Sequence, residues 1–257
     1  MAQRRWRLEN VFRYLEYVIV MDKQLFIILS LFMIVVGCRN PSEKEKLTIQ
    51  ENANLPITDC NTKSDFGNIT LCLPHIEGQT ECHTHPKVQR HLAKFEDPEN
   101  VLLGYYLSDR TFERVDSLGH FSFDNYYKVY ASKKVLGVEA DRKMLKDVMA
   151  LMTSGFLDMT AEELNKDKNF SKHQINISEP VLLEKYTLSG DASIMVALMR
   201  LSGEQSNHLM AFTMGSVLIK KRLIFVAHYM DYTDESSIQT LKRNTEEFIK
   251  ALNAANS

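Results

Sequence analysis

The chain reads as an α+β protein: an antiparallel β-sheet with helices packed on its faces and an amphipathic helix closing the C-terminal end. Three features carry that reading. Apolar runs of strand length crowd residues 181–232, with short turns between them. An earlier strand-rich stretch, residues 69–131, is divided from them by a helical pattern, and a second helical pattern ends the chain. Strands, helix, strands, helix in that order suit a sheet with helices laid upon it.

Ile69, Leu71 and Leu73 alternate with polar or small residues just after the turn residues Gly67–Asn68, which predicts a short half-buried strand. Residues 101–107 are aliphatic and aromatic, as strands are. Residues 126–131 are another strand, with Tyr127, Val129 and Ala131 on one face. Leu145, Val148, Met149, Met152 and Phe156 then follow the spacing of one apolar helical face, with Gly155 near the stop. Thr160 and Glu163 make a capping-box pair for a short further helix.

Strands are predicted at 181–188, 193–201, 209–219 and 223–232, and Lys220–Lys221 is the tight turn between the last two. Ser236 and Gln239 have capping-box spacing at the head of the final helix. Ile238, Leu241, Thr245, Phe248, Ile249 and Leu252 line its dry side; Lys242, Arg243, Glu246, Glu247 and Lys250 supply the wet side.

With 44% hydrophobic and 25% charged residues in 257, neither a disordered chain nor a many-span membrane protein fits. Residues 57–257 are long enough for a single globular domain with a sizeable core. The whole chain carries −2. Residues 1–37 hold five cations and three anions, which leaves −4 on the remainder. A mildly acidic body without a basic block excludes nucleic acid as a main partner, because phosphate neutralisation needs clustered Lys and Arg.

Residues 25–36, LFIILSLFMIVV, are apolar except for Ser30. A membrane-spanning helix needs about 20 apolar residues, so this run has the length of a signal-peptide core instead. Glu16 and Asp22–Lys23 interrupt any longer span. Met21 is the natural start of such a signal peptide, so residues 1–20 are expected to precede the true translation start. Val35, Val36, Gly37 and Cys38 follow, and the chain turns polar at once with Arg39, Asn40 and Pro41. That order resembles the bacterial lipobox.

The lipoprotein resemblance implies removal of residues 1–37, a diacylglycerol on the Cys38 thiol and often an acyl chain such as palmitate on its new amino group. It also implies a tether over 38–56 and a membrane address. Arg39 after the cysteine, in place of Asp, points to the outer membrane, with the body in the periplasm or at the cell surface.

The segment VLIKKRLIFVAHYMDYTDESSIQTLKRNTEEFIKALNAAN, residues 217–256, resembles the end of PsbP-like α/β/α sandwich proteins. There a last hairpin leads through an acidic Tyr–Thr–Asp turn into a closing helix. ITLCLP, residues 69–74, is similar to an early strand-and-proline motif of that group. The resemblance implies the sandwich and a binding or assembly role.

Chemistry-bearing side chains concentrate between residues 60 and 91: Cys60, Cys72, His75, Cys82, His83, His85 and His91. Cys72-x-x-His75 and Cys82-x-x-His85 are spaced like paired ligands of tetrahedral zinc. After export, disulfides are favoured over thiolate sites. Cys60–Cys72 would bridge neighbouring strands, Cys72–Cys82 would close a nine-residue insert, and the spacing does not choose between them. His83 and His85 would share one side of a strand and could chelate a metal. His228 falls in a strand, where a satisfied core or surface histidine is the default. There is no G-x-S-x-G elbow and no glycine-rich phosphate loop. Met144, Met149, Met152, Met195, Met199, Met210 and Met214 mostly take core-facing positions.

The expected function is therefore a lipid-anchored, non-enzymatic binding or assembly module without cofactor. Its partners are the membrane and an unknown protein or small ligand. The alternative is a zinc or redox protein built on Cys72, His75, Cys82 and His85.

Overall fold

The computed structural model describes residues 60, 62–93, 98–117, 125–156, 176–178, 180–202 and 207–257, all within the compact unit Asn54–Ser257. The lipobox, the tether, the 160–163 capping box, His120 and His173 lie outside the described residues.

β1 (Thr62–Phe66) and β2 (Ile69–Leu73) pair antiparallel as a separate hairpin about Gly67–Asn68. Gly67 takes φ +60°, and a Cβ there would lie 2.4 Å from the Leu136 carbonyl oxygen. Only glycine lets this turn come so close to a neighbouring loop. No apolar alternation in the sequence marks β1. Its sequence, TKSDF, is polar, and its strand state comes from pairing with β2.

The large sheet takes its strands from the whole chain. In sequence order they are β3 (Gln79–Glu81), β4 (Asn100–Ser108), β5 (Asn125–Ser132), β6 (Asn176–Ile177), β7 (Val181–Ser189), β8 (Ala192–Ser202), β9 (Asn207–Ile219) and β10 (Arg222–Asp231). In space they run β3-β4-β5-β10-β9-β8, with β6 and β7 both along the far side of β8, and every pairing is antiparallel. The predicted strands match within a residue or two. Lys220 and Lys221 form the β9–β10 turn with φ 47° and 59°. Two left-handed lysines cost about 1–2 kcal/mol each. Lys220 Nζ donates to the Thr70 carbonyl at 3.0 Å and Lys221 Nζ reaches Glu139 at 3.4 Å, contacts that help hold the turn.

Four α-helices are present among the described residues: α1 (Pro86–Leu92), α2 (Asp109–Phe112), α3 (Arg142–Leu151) and α4 (Glu235–Asn256). α4 packs on β9, β10 and β2 and buries Leu241, Thr245, Phe248, Ile249 and Leu252, the side predicted for it. Its cap differs from the expected Ser236–Gln239 pair. Asp234 is the N-cap, its carboxylate accepts from the Ser236 N–H at 2.8 Å, and Ser237 returns the capping-box bond. Asp234 competes better because it starts the helix one residue before Glu235, whose charge suits the first turn.

α3 and the turn that follows it place Met149 and Met152 against Met195, Phe212 and Met214 of the opposite sheet face. The expected α-helix to Phe156 stops at Leu151 and widens into a π-turn, Met152–Phe156. Thr153 Oγ1 donates to the carbonyls of Met149 (2.7 Å) and Ala150 (3.0 Å), and Ser154 Oγ to that of Leu151, in competition with the backbone ladder. On this face an aromatic row crosses four strands: Tyr105, Tyr126, Tyr229 and Phe212, at centroid spacings of 5.6, 4.7 and 5.7 Å. Among the described residues no helix is long and apolar enough to cross a membrane.

Candidate functional site

Cys60 and Cys72 are joined by a disulfide, with Cα atoms 5.5 Å apart. Of the two pairings open in the sequence, it is Cys60–Cys72, but it does not join two strands: Cys60 lies two residues before β1, and the register sets Lys63, not Cys60, opposite Cys72. The bridge ties the lead-in of β1 to β2. Cys72 therefore has no thiolate to offer a metal.

His75 is exposed beyond the buried Pro74. Cys82 is buried; its thiol donates to the Tyr105 carbonyl at 3.3 Å, and burial, then the Glu81 charge, push its pKa up to about 12. His85 stands at the N-cap position of α1, its Nε2 4.0 Å from Asp116 and its ring edge-on to Phe112. The four proposed zinc ligands are thus not brought together. Among the described residues, no group of three or more His, Cys, Asp or Glu is arranged to hold a metal ion. The Cys-x-x-His spacing misleads because each pair is split by fold: Cys72 ends in a strand core, while Cys82 is covered by β4.

A tighter constellation sits one residue to either side of Cys82. Glu81 Oε1 accepts from the His83 N–H at 2.9 Å and the Tyr105 N–H at 3.1 Å, and it contacts His83 Nδ1 at 2.7 Å. Burial works to raise the Glu81 carboxyl, but the hydrogen bonds from the His83 ring and from both backbone amides outweigh it and hold the group below the usual carboxylate value. The pair ties the exit of β3 to β4.

His228 is fully buried between the sheet and α4. Nδ1 lies 3.0 Å from Thr245 Oγ1 and Nε2 2.8 Å from Asn125 Oδ1; Thr213 Oγ1 lies 2.8 Å from Thr245 Oγ1. The ring stacks on Tyr127 at 3.8 Å, and Tyr127 stacks on Phe248 at 4.7 Å. Burial drives the imidazole pKa down to about 3, against a smaller opposing hydrogen bond with the Leu241 backbone. This is a neutral core histidine, the default reading of its strand position. Its partners come from β5, β9 and α4, and no local spacing in the sequence announces them.

The end of the sheet bearing the Lys220–Lys221 turn carries an open groove of about 570 Å³ lined by Glu139, Asp141, Arg142, Asp191, Leu218 and Lys221. Its charges are largely paired: Arg142 Nε donates to Asp191 at 2.8 Å, and Lys221 meets Glu139. Behind it Arg222, 5% exposed, donates to the Val138 and Lys221 carbonyls and to Asn68 Oδ1 at 2.6 Å. It thereby fastens the β1–β2 turn to the sheet through neutral acceptors.

Fold and site together define an α+β protein with an antiparallel sheet, a C-terminal helix and a disulfide at the entry to its body. No protein-family model matches the chain, and no curated protein matches it. A solved structure, the Ran-binding protein Mog1p of Saccharomyces cerevisiae, is similar at 11% identity, covering 71% of this chain and 86% of that one with a TM-score of 0.34.

Proposed function

We propose that the protein is an exported, lipid-anchored, non-enzymatic binding or assembly module, held on a bacterial membrane through acylated Cys38. Its body is of the PsbP-like sandwich type and faces the periplasm or the cell surface. The outer membrane is the favoured address, because Arg39 stands where a retention Asp would. The partner is a protein or small ligand, not nucleic acid.

The Cys60–Cys72 disulfide carries this reading. Disulfides persist in oxidising compartments and are rare where thiols are kept reduced, so a bridge at the entry to the body agrees with passage out of the cytoplasm. A binding role is supported by how the reactive groups are spent: Glu81 on His83, Arg142 on Asp191, His228 in the core. The run from β10 through Tyr232–Thr233–Asp234 into α4 supports the sandwich assignment.

Anchoring is strong for a physical reason. Each buried methylene contributes about 0.8 kcal/mol, so one chain binds reversibly whereas two or three hold the protein effectively permanently. Metabolic labelling with radioactive palmitate and intact-mass analysis of membrane material test the reading. We expect a chain starting at Cys38 with diacylglyceryl and N-acyl groups, and no label in Cys38→Ser. An unacylated chain retaining residues 25–37 refutes it.

A further inference from the structure

We propose that β7 is a docking edge for an extended, acidic and aliphatic strand of a partner protein, which adds to the large sheet antiparallel to β7. This names a surface for the binding role proposed above and rests on that reading.

The two ends of the sheet are treated differently. β3, at one end, has three residues, too few to template another chain. β7, along the other, has nine, pairs with β8 alone among the described residues, and is exposed or half-buried at every position. In an antiparallel pair, alternate main-chain N–H and C=O groups turn away from the partner, so β7 presents a row of them outward. Val181 and Leu183 on this edge are 60% and 45% exposed, two of the three large apolar side chains exposed among the described residues. Edge strands are ordinarily blunted by charge, bulges or brevity. Here two register shifts occur, between Leu182 and Glu184 and between Thr187 and Ser189, but Glu184 to Thr187 stays in unbroken register between them.

The charges decide the occupant. Glu184 is paired with Lys242 of α4, and Tyr186 donates to Glu246 at 2.9 Å, with Lys242 over its ring. Lys185 has no ion-pair partner among the described residues. The edge therefore shows one free positive charge beside two exposed aliphatic side chains. An incoming strand fits with Asp or Glu opposite Lys185 and aliphatic residues reaching Leu183 and Val181. A second β7 fits less well, since pairing centred on Lys185 or on Glu184 opposes like charges across the strands.

The test uses the full chain and a synthetic capped peptide of alternating Val and Thr with one central Glu. Binding is read by fluorescence anisotropy and by amide hydrogen exchange at β7. We expect the Glu peptide to bind about fivefold or more tightly than its Lys counterpart, the order to reverse with Lys185→Glu, and protection to rise on β7. N-methylation along one edge of the peptide should abolish binding, and along the other leave it intact, as strand addition requires. Binding indifferent to charge and to both methylations, unchanged exchange at β7, or a dimer cross-linked through β7 overturns the proposal. Because Lys185 is on the surface, the variant keeps its core. The peptide assay needs no lipid, so a failed docking edge and a failed Cys38 anchor are told apart.

Discussion

The side chain of Asn256 closes both main-chain hydrogen-bonding groups of Cys72: the Cys72 N–H donates to Oδ1 and Nδ2 donates to the Cys72 carbonyl, each at 2.8 Å. The amide acts as one unit of a β-strand partner. The last turn of α4 thus seals the strand that carries the disulfide, 184 positions away in the chain. A third bond, from Nδ2 to the Leu252 carbonyl, fixes the amide itself. Asn256→Ala leaves two buried backbone groups unmatched and should cost about 2–4 kcal/mol. Urea unfolding of the oxidised protein measures it. A loss under about 0.5 kcal/mol would mean that water replaces the amide freely.

The disulfide closes a short loop, with a sequence separation of 12. Its removal by Cys60→Ser should destabilise the body by about 3 kcal/mol through the freedom returned to the unfolded chain. Cys82 should remain unalkylated by iodoacetamide at pH 8 until the protein unfolds, because its buried thiol ionises only near pH 12. Urea unfolding reads the first loss, and peptide mass mapping the labelling of Cys82. Rapid native labelling of Cys82 would contradict the packing of β4 over it.

Much of this fold was legible because burial writes itself into the chain. β8 and β10 are covered on both faces over most of their length, so their apolar runs are nearly continuous. α4 shows a dry side over its whole length. β7 was legible in extent but not in its bulges, which put Leu182 with the α3 cluster and Tyr186 with the α4 side. β3 is three polar residues defined by their neighbour, and α1 carried a usable signal, Pro86 followed by Val88 and Leu92, that the Cys/His spacing overshadowed. The candidate site was legible only in part. Cys60–Cys72 was one of two open pairings, while the Glu81–His83–Tyr105 and His228–Thr245–Asn125 sets depend on distant strands meeting.

His228 sets a pH dependence whose sign follows from its burial. Unfolded, the imidazole titrates near its ordinary 6.5; folded, it stays neutral down to about pH 3. Below pH 6.5 the unfolded chain therefore binds a proton that the folded one refuses. Stability is full above that value and falls as pH drops, by up to about 1.4 kcal/mol per unit. The lowered Glu81 carboxyl acts in a separate window: its contribution is lost only as pH falls below about 4.5, its ordinary value. Urea unfolding between pH 7 and pH 5 isolates the histidine. His228→Gln should be less stable at pH 7, with its bonds to Thr245 and Asn125 disturbed, and its slope should be smaller by one proton. An unchanged slope would place the titrating group elsewhere.

Gly215 lies where β9 passes beneath α4, and a Cβ added there would come 2.7 Å from Ile249 Cδ1. Both residues are buried, Ile249 fully. Gly215→Ala should therefore cost about 1–3 kcal/mol by overpacking, although alanine suits a strand better than glycine. Ile249→Val removes the clashing methyl and by itself should cost about 1 kcal/mol. Combined, the two changes refill one space, so the double variant should be more stable than the sum of the single losses predicts, by about 1 kcal/mol or more. A double-mutant cycle from urea midpoints measures that coupling. Simple additivity would show that α4 moves away from the sheet at little cost, and the close seat of the closing helix on β9 would have to be abandoned.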